Sequence, residues 1–130
     1  MEVIGVFKKI DNILLFVKDL KTSLAFYKDK LGLSVKTKEE GYIEFELSGV
    51  ILGLVEKEEA ANMISKDVVM GSHGTARPFS LAVTVEDVDK TYEVLVGHGI
   101  RFVKKPFTQS WGQRTAYFED PDGNIWEIHA

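Results

Sequence analysis

Asn12 opens an extended apolar run, Ile13-Leu14-Leu15-Phe16-Val17, that stops at Lys18-Asp19. An uninterrupted run of this length reads as a strand over residues 10–17. Leu20, Leu24, Tyr27 and Leu31 then recur at i, i+4, i+7 and i+11, the apolar stripe of a helix. Asp19 is placed to cap that helix, and Gly32 to end it in a left-handed turn. Strands follow near 33–38, 42–48 and 50–56. In the middle one, Ile43, Phe45 and Leu47 alternate with Tyr42, Glu44 and Glu46, so the two sets take opposite faces.

The same order then returns. Ser80-Leu81-Ala82-Val83-Thr84-Val85-Glu86-Asp87 repeats the layout of Asn12 to Asp19, with an Asp seven residues after a small polar residue. Asp87 is placed to cap a helix carrying Val88, Tyr92 and Leu95, closed by Gly97 and Gly99. Strands are predicted near 101–104, 113–119 and 124–129, with Asp120-Pro121-Asp122-Gly123 as the turn between the last two. Residues 57–78 break the pattern: Lys57 to Met63 suit a short helix, and Gly71 to Pro78 suit a flexible connector. The fold class is therefore α+β. Two βαβββ modules, about 8–56 and 79–130, make one domain, with 57–78 joining them.

A duplicated half that cannot bury its own apolar face needs its neighbour. The apolar face Leu81/Val83/Val85 is expected under helices. The small polar face Ser80/Ala82/Thr84, with Asn12, Leu14 and Phe16 in the first half, is expected to line an open cup between the modules, with the helices on the outer face of a curved mixed sheet.

Composition narrows the chemistry. The 130 residues suit one domain. Hydrophobic residues at 45% against 28% charged make a real core and argue against disorder. The net charge of -4, with lysines scattered among acids, gives no basic stripe for nucleic acid. There are no cysteines, which excludes disulfides, thiolate catalysis and Cys-based zinc sites. Neither a signal peptide nor an apolar run long enough for a membrane span is evident, so a cytoplasmic protein without membrane partners is expected.

Several fragments, in this order and spacing, resemble the vicinal oxygen chelate superfamily of glyoxalases, bleomycin resistance proteins and extradiol dioxygenases. They are Val17-Lys18-Asp19-Leu20, Ser23 with Phe26-Tyr27, Leu31-Gly32-Leu33, Val85-Glu86-Asp87-Val88, Trp111-Gly112-Gln113-Arg114, Asp120-Pro121-Asp122-Gly123-Asn124 and Trp126-Glu127. The resemblance implies the paired βαβββ fold and a homodimer. It also implies metal ligands, usually His, Gln or Glu, at the first and last strands of each half. Those positions here are Asn12, Gly53, Ser80 and Glu127, and the internal repeat pairs Asn12 with Ser80 and Gly53 with Glu127. Glu127 alone is a competent ligand, since such sites use three or four imidazole, thiolate or carboxylate donors. The expectation is a member that needs no metal or other cofactor and holds an apolar or aromatic small molecule. The competing reading is a metal-dependent lyase, isomerase or dioxygenase that recruits Glu44, Glu46 or His129 around Glu127. A third is metal-free acid–base catalysis by a Glu127 whose pKa burial has raised.

The expected ligand-binding residues are Asn12, Phe16, Glu44, Glu46, Ser80, Trp111, Arg114 and Glu127; no catalytic residue is assigned. Asn12, Phe16, Ser80 and Glu127 are expected on one cavity, with Trp111 at its mouth and with volume left by Gly53, Ser80 and Ala82. Glu44 and Glu46 make either an acidic wall that favours a cationic ligand or a solvated edge. Trp111 walls a ligand site by stacking, or serves as a dimer contact or a lid on the core. Arg114 orients an anionic group or pairs with a neighbouring acid. Glu127 is a pocket carboxylate or a structural partner across the sheet. His129 has the parity of Glu127, whereas His73 and His98 match no ligand position.

Overall fold

The structure, a computed structural model, describes Ile10, residues 12–71 and residues 79–130. The strands are β1 (Asn12–Val17), β2 (Val35–Glu39), β3 (Tyr42–Phe45), β4 (Ile51–Glu56), β5 (Ser80–Thr84), β6 (Phe102–Thr108), β7 (Arg114–Glu119) and β8 (Ile125–His129). The helices are α1 (Leu20–Leu24), which runs on as a π-helical stretch (Ala25–Lys30), then α2 (Lys57–Met63), α3 (Lys66–Met70) and α4 (Val88–Gly97). The connector expected at 71–78 falls, beyond Gly71, outside the described residues. So do Met1 to Lys9 and His73. Among the described residues no helix is long and apolar enough to cross a membrane.

Two four-stranded sheets form, ordered β1-β4-β3-β2 and β5-β8-β7-β6. In each, the first strand of the repeat lies parallel to the last and the other pairings are antiparallel. The repeat read from the sequence is exact in register. Asn12 pairs with Ile51 as Ser80 pairs with Ile125, which makes Gly53 the counterpart of Glu127.

The compact units do not follow the chain order of the repeat. One holds Met1–Leu20 with Leu33–Met70, the other Lys21–Gly32 with Gly71–Ala130. The first helix therefore lies on the second sheet. The reason is in its side chains. Leu31 N–H reaches back to the Phe26 carbonyl at 3.0 Å, a five-residue step that widens the turn. The widened turn sends both Phe26 and Tyr27 inward, together with Ser23, whereas a regular helix would have presented the stripe Leu20/Leu24/Tyr27/Leu31. Tyr27 packs on Trp126 (ring centroids 5.9 Å apart) and Phe26 on Phe118 (6.4 Å), and Phe118 stacks on Trp126. The Tyr27 hydroxyl donates to Asp120 Oδ2 at 2.6 Å and accepts from Trp126 Nε1 at 3.1 Å. Asp120 is occupied in turn by the backbone N–H groups of Asp122 and Asn124 and by the Asn124 amide, so the predicted turn is a hydrogen-bonded buttress beneath the helix. Burial first, and the Asp120 carboxylate second, push the Tyr27 phenol far above its usual range. Gly32 closes the helix at φ +78°, the left-handed turn expected of it. α4 begins as predicted, with Asp87 Oδ1 accepting from Lys90 N–H at 3.0 Å.

The first unit has one sheet face, Leu15, Val17, Ile43, Phe45, Leu52 and Leu54, almost wholly withdrawn from solvent. Each such side chain contributes roughly 1.5–3 kcal/mol. The opposite face was expected to stand open. It carries a cluster of Val55, Ala60 and Val69, with Leu14, Phe16, Tyr42 and Ala61 packed against it, so α2 and α3 cover it. The cause is hydrophobicity: Leu14, Phe16 and Val55 together are too apolar to be left in water. Two further elements differ from expectation. β3 stops at Phe45, which leaves Leu47 exposed. β6 runs on to Thr108 through Pro106, because as an edge strand with a bulge it does not need that N–H.

Candidate functional site

In the second unit the helix-free face of the sheet carries one continuous polar row. Ala82 pairs with Glu127, Thr84 with His129, Tyr117 with Glu127 and Thr115 with His129, so these side chains share a side. Glu127 sits at its centre. Tyr117 Oη donates to Oε1 at 2.5 Å, and His129 Nδ1 meets Oε2 at 2.7 Å. The other ring nitrogen, Nε2, lies 3.0 Å from Thr84 Oγ1. Gln109 Nε2 donates to Thr115 Oγ1 at 3.1 Å and closes the row towards β6. The Glu127 and His129 side chains keep 17% and 22% of their exposure, so the row is shielded but open.

Burial works to raise the Glu127 carboxyl. The bonds from Tyr117 and then His129 outweigh it and hold the group below its ordinary 4.5. This overturns the expectation of a raised pKa: the carboxyl here is a stable anion, unsuited to giving up a proton near neutrality. Tyr117 is pushed up, first by its bond to Glu127 and then by burial.

The first unit holds a cavity of about 300 Å³ lined by Leu14, Glu40, Gly41, Tyr42, Val55, Glu59 and Met63. The lining combines apolar side chains from β1, β4 and α2 with the carboxylates of Glu40 and Glu59. Tyr42 Oη donates to Glu44 Oε2 at 2.6 Å. Burial, then that bond, push the Tyr42 phenol up to about 12, which keeps the ring neutral.

The expected site residues fall as follows. Ser80 and Glu127 share the helix-free face of the second sheet, and Ser80 is exposed. Arg114 does not join them. It has the parity of Ala116 and Phe118, turns to the α4 side, and forms a bidentate pair with Asp89 at 2.7 and 3.0 Å. Trp111 is 69% exposed in the β6–β7 turn, with Nε1 3.3 Å from Gln113 Oε1. In the first unit Asn12 is exposed, Phe16 packs into the α2/α3 cluster, and Glu44 is held by Tyr42. Glu46 lies past the end of β3 and is exposed.

Gly53 does not leave volume. A Cβ built there meets Leu14 Cδ2 at 2.7 Å and Tyr42 Cε1 at 3.3 Å, so neighbouring side chains already occupy the space. The residue missed in the sequence is Tyr117. Its signal was the turn at Asp120 to Gly123, whose register sets residue 117 opposite 127.

The metal set implied by the fold fails on these observations. Position 53 has no side chain, and a Cβ there would press on the end of Leu14 at 2.7 Å. Ser80 and Asn12 are neutral donors. Glu127 has both oxygens engaged by Tyr117 and His129. Among the described residues, no three His, Cys, Asp or Glu side chains gather in a group able to hold a metal ion.

Parallel first and last strands in each repeat, with the paired positions 12/80 and 53/127, define the vicinal oxygen chelate class. The chain belongs to the Glyoxalase/Bleomycin resistance protein/Dioxygenase superfamily, whose sequence profile matches residues 9–128. It is 36% identical over 124 residues to the uncharacterized protein YraH of Bacillus subtilis, covering 93% of this chain and 97% of the relative. It is 28% identical over 123 residues to the metallothiol transferase FosB of Lysinibacillus sphaericus, covering 94% and 82%. Among solved structures, a glyoxalase/bleomycin resistance protein/dioxygenase from Nocardioides superposes with a TM-score of 0.84 at 30% identity, covering 98% of this chain and 86% of that one.

Proposed function

We propose that this protein binds a small apolar or aromatic cation without a metal, in the manner of the resistance-protein branch of its superfamily. The observation that carries the reading is the state of the ligand positions. Gly53 is walled in by Leu14 and Tyr42, and Glu127 is already hydrogen-bonded through both oxygens. The ligand chemistry follows from what remains. The first unit offers a cavity lined by the apolar side chains of Leu14, Val55 and Met63 and the ring of Tyr42, together with the carboxylates of Glu40 and Glu59. Apolar walls supply affinity, and the carboxylates select positive charge. Among the described residues each sheet has two edge strands, which suits a homodimer. Light scattering giving a 14.6 kDa monomer at micromolar concentration would count against that assembly.

Calorimetric titration of chelator-treated protein with benzyltrimethylammonium, its neutral carbon isostere and bleomycin tests the reading. Saturable binding of a cation and none of the neutral isostere is expected. Binding that appears only after a divalent metal is restored overturns it. A second reading, a metal-dependent transferase, rests on the similarity to the FosB relative. One tightly held metal per chain by elemental analysis, lost in Glu127→Ala, would establish it instead.

A further inference from the structure

The polar row contains an arrangement that ligand binding does not use. Glu127 Oε2, His129 and Thr84 Oγ1 stand in line, with 2.7 Å from carboxylate to Nδ1 and 3.0 Å from Nε2 to hydroxyl. We propose that Thr84 is an acyl-accepting nucleophile, with His129 as its general base and Glu127 as the group that positions the imidazole. The substrate class is small activated carboxylic esters.

The protonation pattern follows from the partners. An ionised carboxylate only accepts, so Nδ1 carries the proton and donates it to Glu127. With Nδ1 turned to Glu127, Nε2 is the ring atom left to face the Thr84 hydroxyl, and in the base form it is the atom that takes the proton. Carboxylate, imidazole and hydroxyl in this order are the parts of an activated nucleophile, recognised by geometry and role rather than by chain position. Tyr117 on the other Glu127 oxygen fixes the carboxylate from behind. Access is also present. Thr84 is exposed at the end of β5, and its same-face neighbours on the strand, Ala82 and Ser80, are small and exposed. Among the described residues, Thr84 is the β5 hydroxyl that the His129 ring meets.

The step balances within the chain. Thr84 Oγ1 attacks the ester carbonyl carbon while its proton passes to His129 Nε2. The bond from carbonyl to leaving oxygen breaks, and the imidazolium returns the proton to the leaving group. Acyl-Thr84 remains. Water, deprotonated by the same Nε2, then attacks the acyl carbon, releases the carboxylic acid and restores the hydroxyl.

The test uses the full chain, chelator-treated, with p-nitrophenyl acetate. The expected result is release of p-nitrophenol together with one acetyl group, mapped to Thr84 by peptide mass analysis. Thr84→Val abolishes the label and Thr84→Ser retains it. His129→Gln slows labelling on the order of 100-fold or more. Circular dichroism confirms that each variant is folded. Nitrogen-15 spectra of the His129 ring report positioning: protonated Nδ1 in the native protein, with the proton shifted to Nε2 in Glu127→Gln. Acetylation confined to lysines, turnover that survives Thr84→Val, or a native ring protonated at Nε2 each overturn the proposal. Because no added metal or cation ligand enters the assay, its outcome is separate from that of the binding experiment.

Discussion

Tyr27→Phe removes one oxygen from a buried hydrogen-bonded contact in the second unit. The ring stays, so packing against Trp126 and Phe26 is kept. Two bonds are lost: the donation to Asp120 at 2.6 Å and the acceptance from Trp126 Nε1 at 3.1 Å. All three residues are buried, so water does not replace them freely. A bond to a charged acceptor contributes about 1.5–3 kcal/mol, and a neutral one about 1 kcal/mol. The expected loss is therefore about 3 kcal/mol. For a chain of this size that lowers Tm by about 10 °C. Urea unfolding should show a lower midpoint with an unchanged slope, since the same surface is exposed. The pH dependence gives a sharper check. The folded phenol is pushed far above the ordinary 10.0, so its contribution is fully present below pH 10 and is lost as pH rises beyond it. The advantage of the native protein over Tyr27→Phe should shrink by about 1.4 kcal/mol per pH unit above that point. A loss below about 0.5 kcal/mol at neutral pH, or an advantage that does not change above pH 10, would refute the reasoning.

Three further substitutions probe the sites. Tyr117→Phe removes the leading bond that depresses Glu127, so its carboxyl should titrate closer to 4.5, as followed by NMR. The stability that Glu127 contributes, present above its unfolded value and lost as pH falls through the folded one, should shrink with it; an unmoved titration counts against the network. Ser80→Trp fills the helix-free face of the second sheet without touching its core face, so it should block acetylation of Thr84 at unchanged Tm, and an undiminished label would place the ester elsewhere. Gly53→Ala drives a Cβ against Leu14, whose flexible end must shift into the cavity. A cost of about 1–3 kcal/mol and weaker binding are expected, and a neutral thermal shift would show that the space is looser than drawn.

What the sequence determined by itself was whatever depends on local period and on the repeat. The alternation in β3, the Asp87 cap, the Gly32 turn and the parity of Ser80 with Glu127 all follow from neighbours along the chain, as does the equivalence of Gly53 and Glu127. Tertiary structure decided the rest, because each remaining question turned on a partner distant in sequence. Which sheet the first helix covers depended on Tyr27 finding Asp120, 93 residues away. Whether Gly53 opens or closes space depended on Leu14 and Tyr42 from two other strands. The face carrying Phe16 is closed because α2 and α3, which lie outside the repeat, meet three apolar side chains there. Parity placed Glu127 on a face, but only the β7 register brought Tyr117 to one of its oxygens and left the other to His129. A period says which way a side chain points, and the energy of what it meets is set by residues that the period does not contain.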